Sequence, residues 1–300
     1  MFTGSLVALV TPMFEDGSLD LGAWDQLIDL QMRSGSAGIV VGGSTGESVA
    51  LNEVEQDALL ARARRRAAGR MPVIAGVGGS STATVVARVR KLAAAAPDAL
   101  LAVTPACSRP TQEGLYRHLH AVAEASSVPV LLYNVPGRTA VDLLPATVAR
   151  LAAHPRIVGI KEAVGDVERI RALLAVVPRE FAVLSGDDAT ACAAVLTGAH
   201  GVISVTANVL PAAVAGVMAA ALRGERELAL RLDADLQPLH EALGLEPNPI
   251  PIKWAMAESR LIGPGIRLPL TWLSSGAQPQ LRGALRAAAA AAAAGQVRSA

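Results

Sequence analysis

The sequence predicts a (β/α)8 barrel followed by a C-terminal helical appendage, an α/β fold, on three observations. Eight short apolar runs alternate with longer helix-patterned segments over about 225 residues, close to the ~250 typical of such barrels. The runs are almost continuously apolar, as parallel strands buried on both faces require. Past Gly224 the strand signals stop and helical patterns alone continue. The expected division is a barrel carrying the active site over residues 1–224 and a helical region over 225–300 whose last residues fray. An open doubly wound sheet is the alternative, because alternation does not show closure.

Taken in order, the strands are expected at residues 5–10, 38–42, 72–76, 99–104, 129–134, 157–161, 181–186 and 201–204. The helix after the second strand is the most clearly punctuated. Asn52 caps it, Glu53 and Glu55 fill its first turn, Arg62 to Arg66 its last, and Gly69 follows. That gives the arginine cluster a place at a solvated helix end rather than on a nucleic acid. Residues 201–222 carry no charge, but Ser204, Thr206, Asn208 and Pro211 divide them into strand, turn and helix, not a membrane span. Further helices are expected at 225–243, 250–260 and 280–294. The alanine run at 287–294 has high helix propensity and little to pack against.

Composition removes several function classes. With 52% hydrophobic and 18% charged residues the chain is not disordered. Its 27 Lys+Arg against 26 Asp+Glu leave a net charge of +1, which argues against a nucleic-acid partner. Cys107 and Cys192 form no CxxC, so neither a disulfide framework nor a zinc ribbon is indicated. The five histidines are dispersed, and no HExxH-type metal site exists. Met1 to Leu9 has no basic region of a signal peptide, so a soluble cytoplasmic protein without a membrane partner is expected. About one residue in five is alanine, and nearly all basic residues are arginine. Lys91, Lys161 and Lys253 are the 3 lysines, Tyr116 and Tyr133 the two tyrosines.

In a parallel barrel, functional groups gather where strands end. Lys161 closes the run Ile157-Val158-Gly159-Ile160, where partial desolvation is expected to depress its pKa toward neutrality. A neutral amine suits Schiff-base chemistry, which the permanently protonated guanidinium of arginine cannot perform. The plainer alternative is a lysine leaving the core for solvent, and Lys91 and Lys253 have no evident reason to persist. Tyr133 closes the preceding strand and is placed to relay protons beside Lys161. The loop Gly42-Gly43-Ser44-Thr45-Gly46-Glu47 offers amides and two hydroxyls that suit a carboxylate. The same loop matches G-x-S-x-G, the nucleophile elbow of serine hydrolases, which would need Ser44 with Asp187 and His240. Only one strand precedes the strand that leads into it, too few for that fold. A barrel retained for binding alone is a third possibility. Arg138 suits a substrate carboxylate, and Asp187 and Asp188 suit the cap of the next helix.

These residues resemble the dihydrodipicolinate synthase family of pyruvate-dependent Schiff-base aldolases. The resemblance runs from Met1-Phe2-Thr3-Gly4-Ser5 to Arg267-Leu268-Pro269. It rests on Gly43-Ser44-Thr45-Gly46-Glu47, Tyr133-Asn134-Val135-Pro136-Gly137-Arg138-Thr139, Gly159-Ile160-Lys161-Glu162-Ala163 and Leu184-Ser185-Gly186-Asp187-Asp188-Ala189. It implies that Lys161 forms an imine with pyruvate, that Tyr133 relays protons, and that Ser44 and Thr45 hold the pyruvate carboxylate, Ser44 also passing protons. Arg138 would grip L-aspartate 4-semialdehyde, with Gly186 and Ile203 lining the site. No cofactor or metal is implied, and a homo-oligomer, tetramer or dimer, is expected. An N-acetylneuraminate lyase or sugar-acid aldolase would share the imine but use another aldehyde. Two departures stand out. A Tyr-Tyr pair usual in the family is Ala106-Cys107 here, and its second tyrosine normally completes a neighbouring subunit's relay. Either a water fills the gap or the second substrate has changed, and the retained Arg138 favours the water. The residues that line a lysine feedback site in some members are here Val49, Glu53, Gln56, Ser80, Thr84 and Ala106. They match poorly, so little lysine inhibition is expected.

Overall fold

The computed structural model describes residues 1–297. Eight parallel strands close on themselves: β1 (Gly4–Ala8), β2 (Gly38–Val41), β3 (Val73–Val77), β4 (Ala99–Val103), β5 (Val130–Asn134), β6 (Ile157–Glu162), β7 (Ala182–Ser185) and β8 (Gly201–Ser204). Each neighbours the next in sequence order, and β1 pairs with β8 through Gly4↔Gly201 and Leu6↔Ile203, which excludes the open sheet. The principal helices between and after the strands are α1 (Leu21–Arg33), α2 (Glu53–Ala67), α3 (Thr82–Leu92), α4 (Gln112–Ala125), α5 (Pro145–Ala152), α6 (Val167–Leu174), α7 (Asp188–Leu196) and α8 (Pro211–Leu222).

Alternate side chains of each strand serve two cores. Leu6, Val40, Ile74, Leu101, Leu131, Leu184 and Ile203 fill the barrel, while Val7, Ile39, Val73, Leu100 and Leu132 face outward into the larger core beneath the helices. Each such side chain contributes roughly 1.5–3 kcal/mol on burial, which is why near-continuous apolar runs specify this fold. The expected cap on α2 is present as a reciprocal capping box: Asn52 Oδ1 accepts from Glu55 N–H at 2.9 Å, and Asn52 N–H donates to Glu55 Oε2 at 3.0 Å. The arginines at its far end face α1 and β4. Arg62 is bidentate to Asp25 at 2.7 and 2.8 Å, Arg66 pairs with Asp29, and Arg64 reaches Asp98 at 2.6 Å. These three arginines are intramolecular ties between elements of the barrel.

Beyond β8 the chain is helical. The single helix expected over 225–243 is two, α9 (Arg226–Ala234) and α10 (Gln237–Ala242), because Pro238 lacks an N–H and its ring opposes the preceding turn. Then come α11 (Ile250–Glu258) and α12 (Gln278–Val297). α9 packs on α8, and α12 covers α10 and α11. The alanine run at 287–294, expected to have little to pack against, is helical throughout and buries Ala288; residues 298–300, at the end expected to fray, lie outside the described residues. No described helix is long and apolar enough to cross a membrane.

Candidate active site

The ladder sets Tyr133 opposite Lys161, and Lys161 opposite Leu184, so three adjacent strands place these residues on one level. Tyr133 and Leu184 point into the barrel, and Lys161 Nζ lies 4.5 Å from the centroid of the Tyr133 ring. Lys161 is only 5% exposed. Its route inward is set by Gly186: a Cβ there would come within 2.8 Å of Lys161 Cε and 2.7 Å of Ala163 Cβ. The three lysines differ in their partners. Lys91 pairs with Glu53 at 2.8 Å and Lys253 with Glu47, whereas among the described residues no carboxylate pairs with Lys161. Its nitrogen is the one amine held in the barrel without a counter-ion.

On the other side of the mouth, the 42–47 loop is held from several directions. Thr11 Oγ1 donates to the Gly46 carbonyl at 2.7 Å. Gly76 lets β3 pass close, since a Cβ there would lie 2.3 Å from the Gly42 carbonyl oxygen. Ser44 is half-buried and Thr45 is buried. Asn248 Nδ2 donates to Thr45 Oγ1 at 2.9 Å, which leaves the Thr45 hydroxyl proton free to donate elsewhere. Glu47 ends the loop in the left-handed region (φ 55°), fully buried. Its Oε1 meets Lys253 of α11 and its Oε2 accepts from Arg267 N–H at 3.1 Å. Burial pulls the Lys253 ammonium below the ordinary lysine range, and the Glu47 charge opposes that pull.

Arg138 sits on a helical turn, Pro136–Thr139, directly after β5. It is exposed, and one Nη2–H donates to the Asn248 carbonyl at 2.7 Å, so Asn248 links Arg138 to Thr45. Ile203 is fully buried within the barrel. Cys107 is exposed on the loop after β4, at φ 66°. Several residues at the compared lysine-site positions bond within the chain instead: Glu53 with Lys91, Gln56 Nε2 with the Ser48 and Leu51 carbonyls, and Ser80 Oγ with the Ala106 carbonyl.

Behind Lys161, Glu162 points away from the barrel into a buried polar network. It accepts from Asn134 Nδ2 at 3.1 and 3.0 Å and from Val164 N–H at 3.0 Å, while Arg169 is bidentate to Asp142 beside it. Burial pushes the Glu162 carboxyl above the ordinary range, and the Asn134 hydrogen bonds oppose that shift. The network pins the ends of β5 and β6, and thereby Tyr133 and Lys161.

The hydrolase constellation is not assembled. His240 Nδ1 bonds Thr206 Oγ1 at 2.8 Å, and Asp187 caps α7 by accepting from Thr190 N–H at 3.1 Å. Asp188 also serves the backbone, accepting from Val205 and Thr206 N–H. One grouping escaped the sequence reading: His120 and Glu124 near the end of α4 converge with His154, just before β6. Both nitrogens of His154 are engaged there. Nδ1 accepts from Arg156 N–H at 3.1 Å, and Nε2 lies 2.8 Å from Glu124 Oε1. The sequence reading also assigned nothing to Glu47, Asn248 and Lys253. The scarcity of lysine is the one signal that could have singled out Lys253.

The family model described as the dihydrodipicolinate synthetase family matches residues 1–288. A 4-hydroxy-tetrahydrodipicolinate synthase of Laribacter hongkongensis is 50% identical over 288 residues, spanning 96% of this chain and 99% of that protein. The crystal structure of a chloride-inhibited dihydrodipicolinate synthase from Acinetobacter baumannii, complexed with pyruvate, superposes with a TM-score of 0.95. It is 45% identical and covers 96% of this chain and 99% of its own. A monomeric dihydrodipicolinate synthase variant has a TM-score of 0.94 at 37% identity, covering 96% and 97% of the two chains.

Proposed function

The chain belongs to the dihydrodipicolinate synthetase family, and from that premise we propose that it condenses pyruvate with L-aspartate 4-semialdehyde to 4-hydroxy-tetrahydrodipicolinate in lysine and diaminopimelate biosynthesis. The observation that carries the reading is the amine of Lys161, buried inside the barrel without a carboxylate partner and set over the Tyr133 ring. Attack of that amine on the pyruvate carbonyl gives a carbinolamine, which loses water to form the imine. The imine is the electron sink for removal of a methyl proton, so the chemistry needs neither metal nor organic cofactor. The resulting enamine attacks the aldehyde carbon of the second substrate.

In this reading Tyr133 relays protons, with Ser44 as the next group in the chain. Ser44 and Thr45 hold the pyruvate carboxylate, Arg138 takes that of the semialdehyde, and Gly186 and Ile203 line the cavity. Arg138 has donors left for that task after its single bond to Asn248. The reading includes a cytoplasmic location, a homo-oligomer (tetramer or dimer), and little or no inhibition by lysine.

The direct test is to incubate the protein with pyruvate, reduce with borohydride and map the adduct by mass spectrometry. Label is expected on Lys161, and unlabelled Lys161 sinks every imine version of the reading. A second prediction concerns the missing tyrosine. Cys107→Tyr is expected to raise the condensation rate by roughly tenfold, since a phenol reaches further and hydrogen-bonds more strongly than the exposed thiol in its place. An unchanged or lower rate would show that the relay runs without position 107.

A further inference from the structure

Lys253 has no place in the chemistry above, and it is the second lysine that the arginine-rich composition leaves unexplained. Its side chain is fully buried on α11, far from solvent, with Glu47 as its ion-pair partner. A buried ion pair is poor evidence for stability, because desolvation of both charges offsets their attraction. What such a pair supplies well is geometry. The two Glu47 oxygens are divided between two anchors, Lys253 Nζ and Arg267 N–H, so both the position and the rotation of the carboxylate are determined. Two residues upstream, Thr45 is held by Asn248, just ahead of the helix that carries Lys253. The loop is thus attached at positions 45 and 47 to one segment of the C-terminal region, with Ser44 beside the first attachment.

We propose that Lys253 is a positioning residue, which through Glu47 sets the 42–47 loop and so the affinity of the site for the carboxylate of the first substrate. The inference rests on the pyruvate reading given above. It also accounts for lysine at this position. An ammonium presents three rotatable donors on a slim stem, whereas a guanidinium would carry five N–H groups into a fully enclosed space beside one carboxylate already shared with a backbone amide.

The test compares the full-length wild type with Lys253→Met and with the double variant Lys253→Met/Glu47→Gln. The double variant removes both buried charges and keeps an oxygen for Arg267 N–H, so it carries the test if the single variant does not fold. KM for pyruvate is expected to rise about tenfold in each, with kcat and the KM for the aldehyde within about threefold of wild type. Borohydride trapping at saturating pyruvate is expected to be unchanged. A folded double variant with wild-type KM for pyruvate overturns the proposal. So does a parallel loss of kcat and both affinities that follows a fall in Tm, the signature of a purely structural pair. Failure of the wild type to form any Lys161 adduct takes down the pyruvate reading and this inference together. A wild-type adduct with indifferent variants takes down the inference alone.

Discussion

Lys161→Arg is expected to leave a folded barrel with turnover reduced at least ~10³-fold and no borohydride-trapped pyruvate adduct. The substitution keeps a long stem to pass Gly186 but replaces the one primary amine held inside the barrel with a group unable to form an imine. The expectation is strengthened by the isolation of this amine: Lys91 and Lys253 are both ion-paired, and neither is placed to substitute for it. Steady-state kinetics with both substrates, together with mass mapping after reduction, checks it. Residual activity above one-tenth of wild type would falsify the covalent role of Lys161.

Gly186→Ala is the second large effect, and it acts without touching the reacting atoms. The added methyl meets Lys161 Cε at 2.8 Å and Ala163 Cβ at 2.7 Å. The lysine stem can bend away, but Ala163 is attached directly to backbone at the end of β6 and cannot. The amine is therefore expected to shift by several tenths of an ångström, and kcat/KM to fall about 10²-fold, as misplacement of a reacting group generally costs. Slower borohydride trapping is the accompanying result, with Tm lowered by a few degrees, since over-packing of a buried strand end costs about 1–3 kcal/mol. Wild-type trapping would show that the lysine reaches its carbonyl by another path.

The fold was legible because its signals are local and repeated. Each strand is an apolar run, and Asn52, Pro211 and Gly69 punctuate helices through backbone chemistry that neighbouring residues alone determine. Pro238 was equally local, and it divides a segment that hydrophobic pattern alone reads as one helix. Lys161 and Tyr133 were legible for a different reason. A barrel gathers strand ends, so two residues at the ends of successive strands must be neighbours whatever the loops do. The support of the 42–47 loop was not legible. Asn248, Lys253 and Arg267 meet Thr45 and Glu47 across more than 200 residues, and no periodicity marks a contact of that range. Nor does spacing reveal that His154 meets Glu124, 30 positions earlier.

That same span bears on how the protein comes into being. As the chain leaves the ribosome, β2 and its loop emerge early, while Asn248 and Lys253, which anchor Thr45 and Glu47, follow more than 200 residues later. A nascent chain reaching residue 224 already holds all eight strands, together with Lys161 and Tyr133. Thr11 and β3 then already support the loop after β2, while Asn248, Lys253 and Arg267 are still to come. In the proposed reading the seat for the substrate carboxylate is therefore completed only once residue 253 has been added, and a chain cut short before residue 248 is expected to hold Lys161 in its barrel but to lack these ties on Thr45 and Glu47.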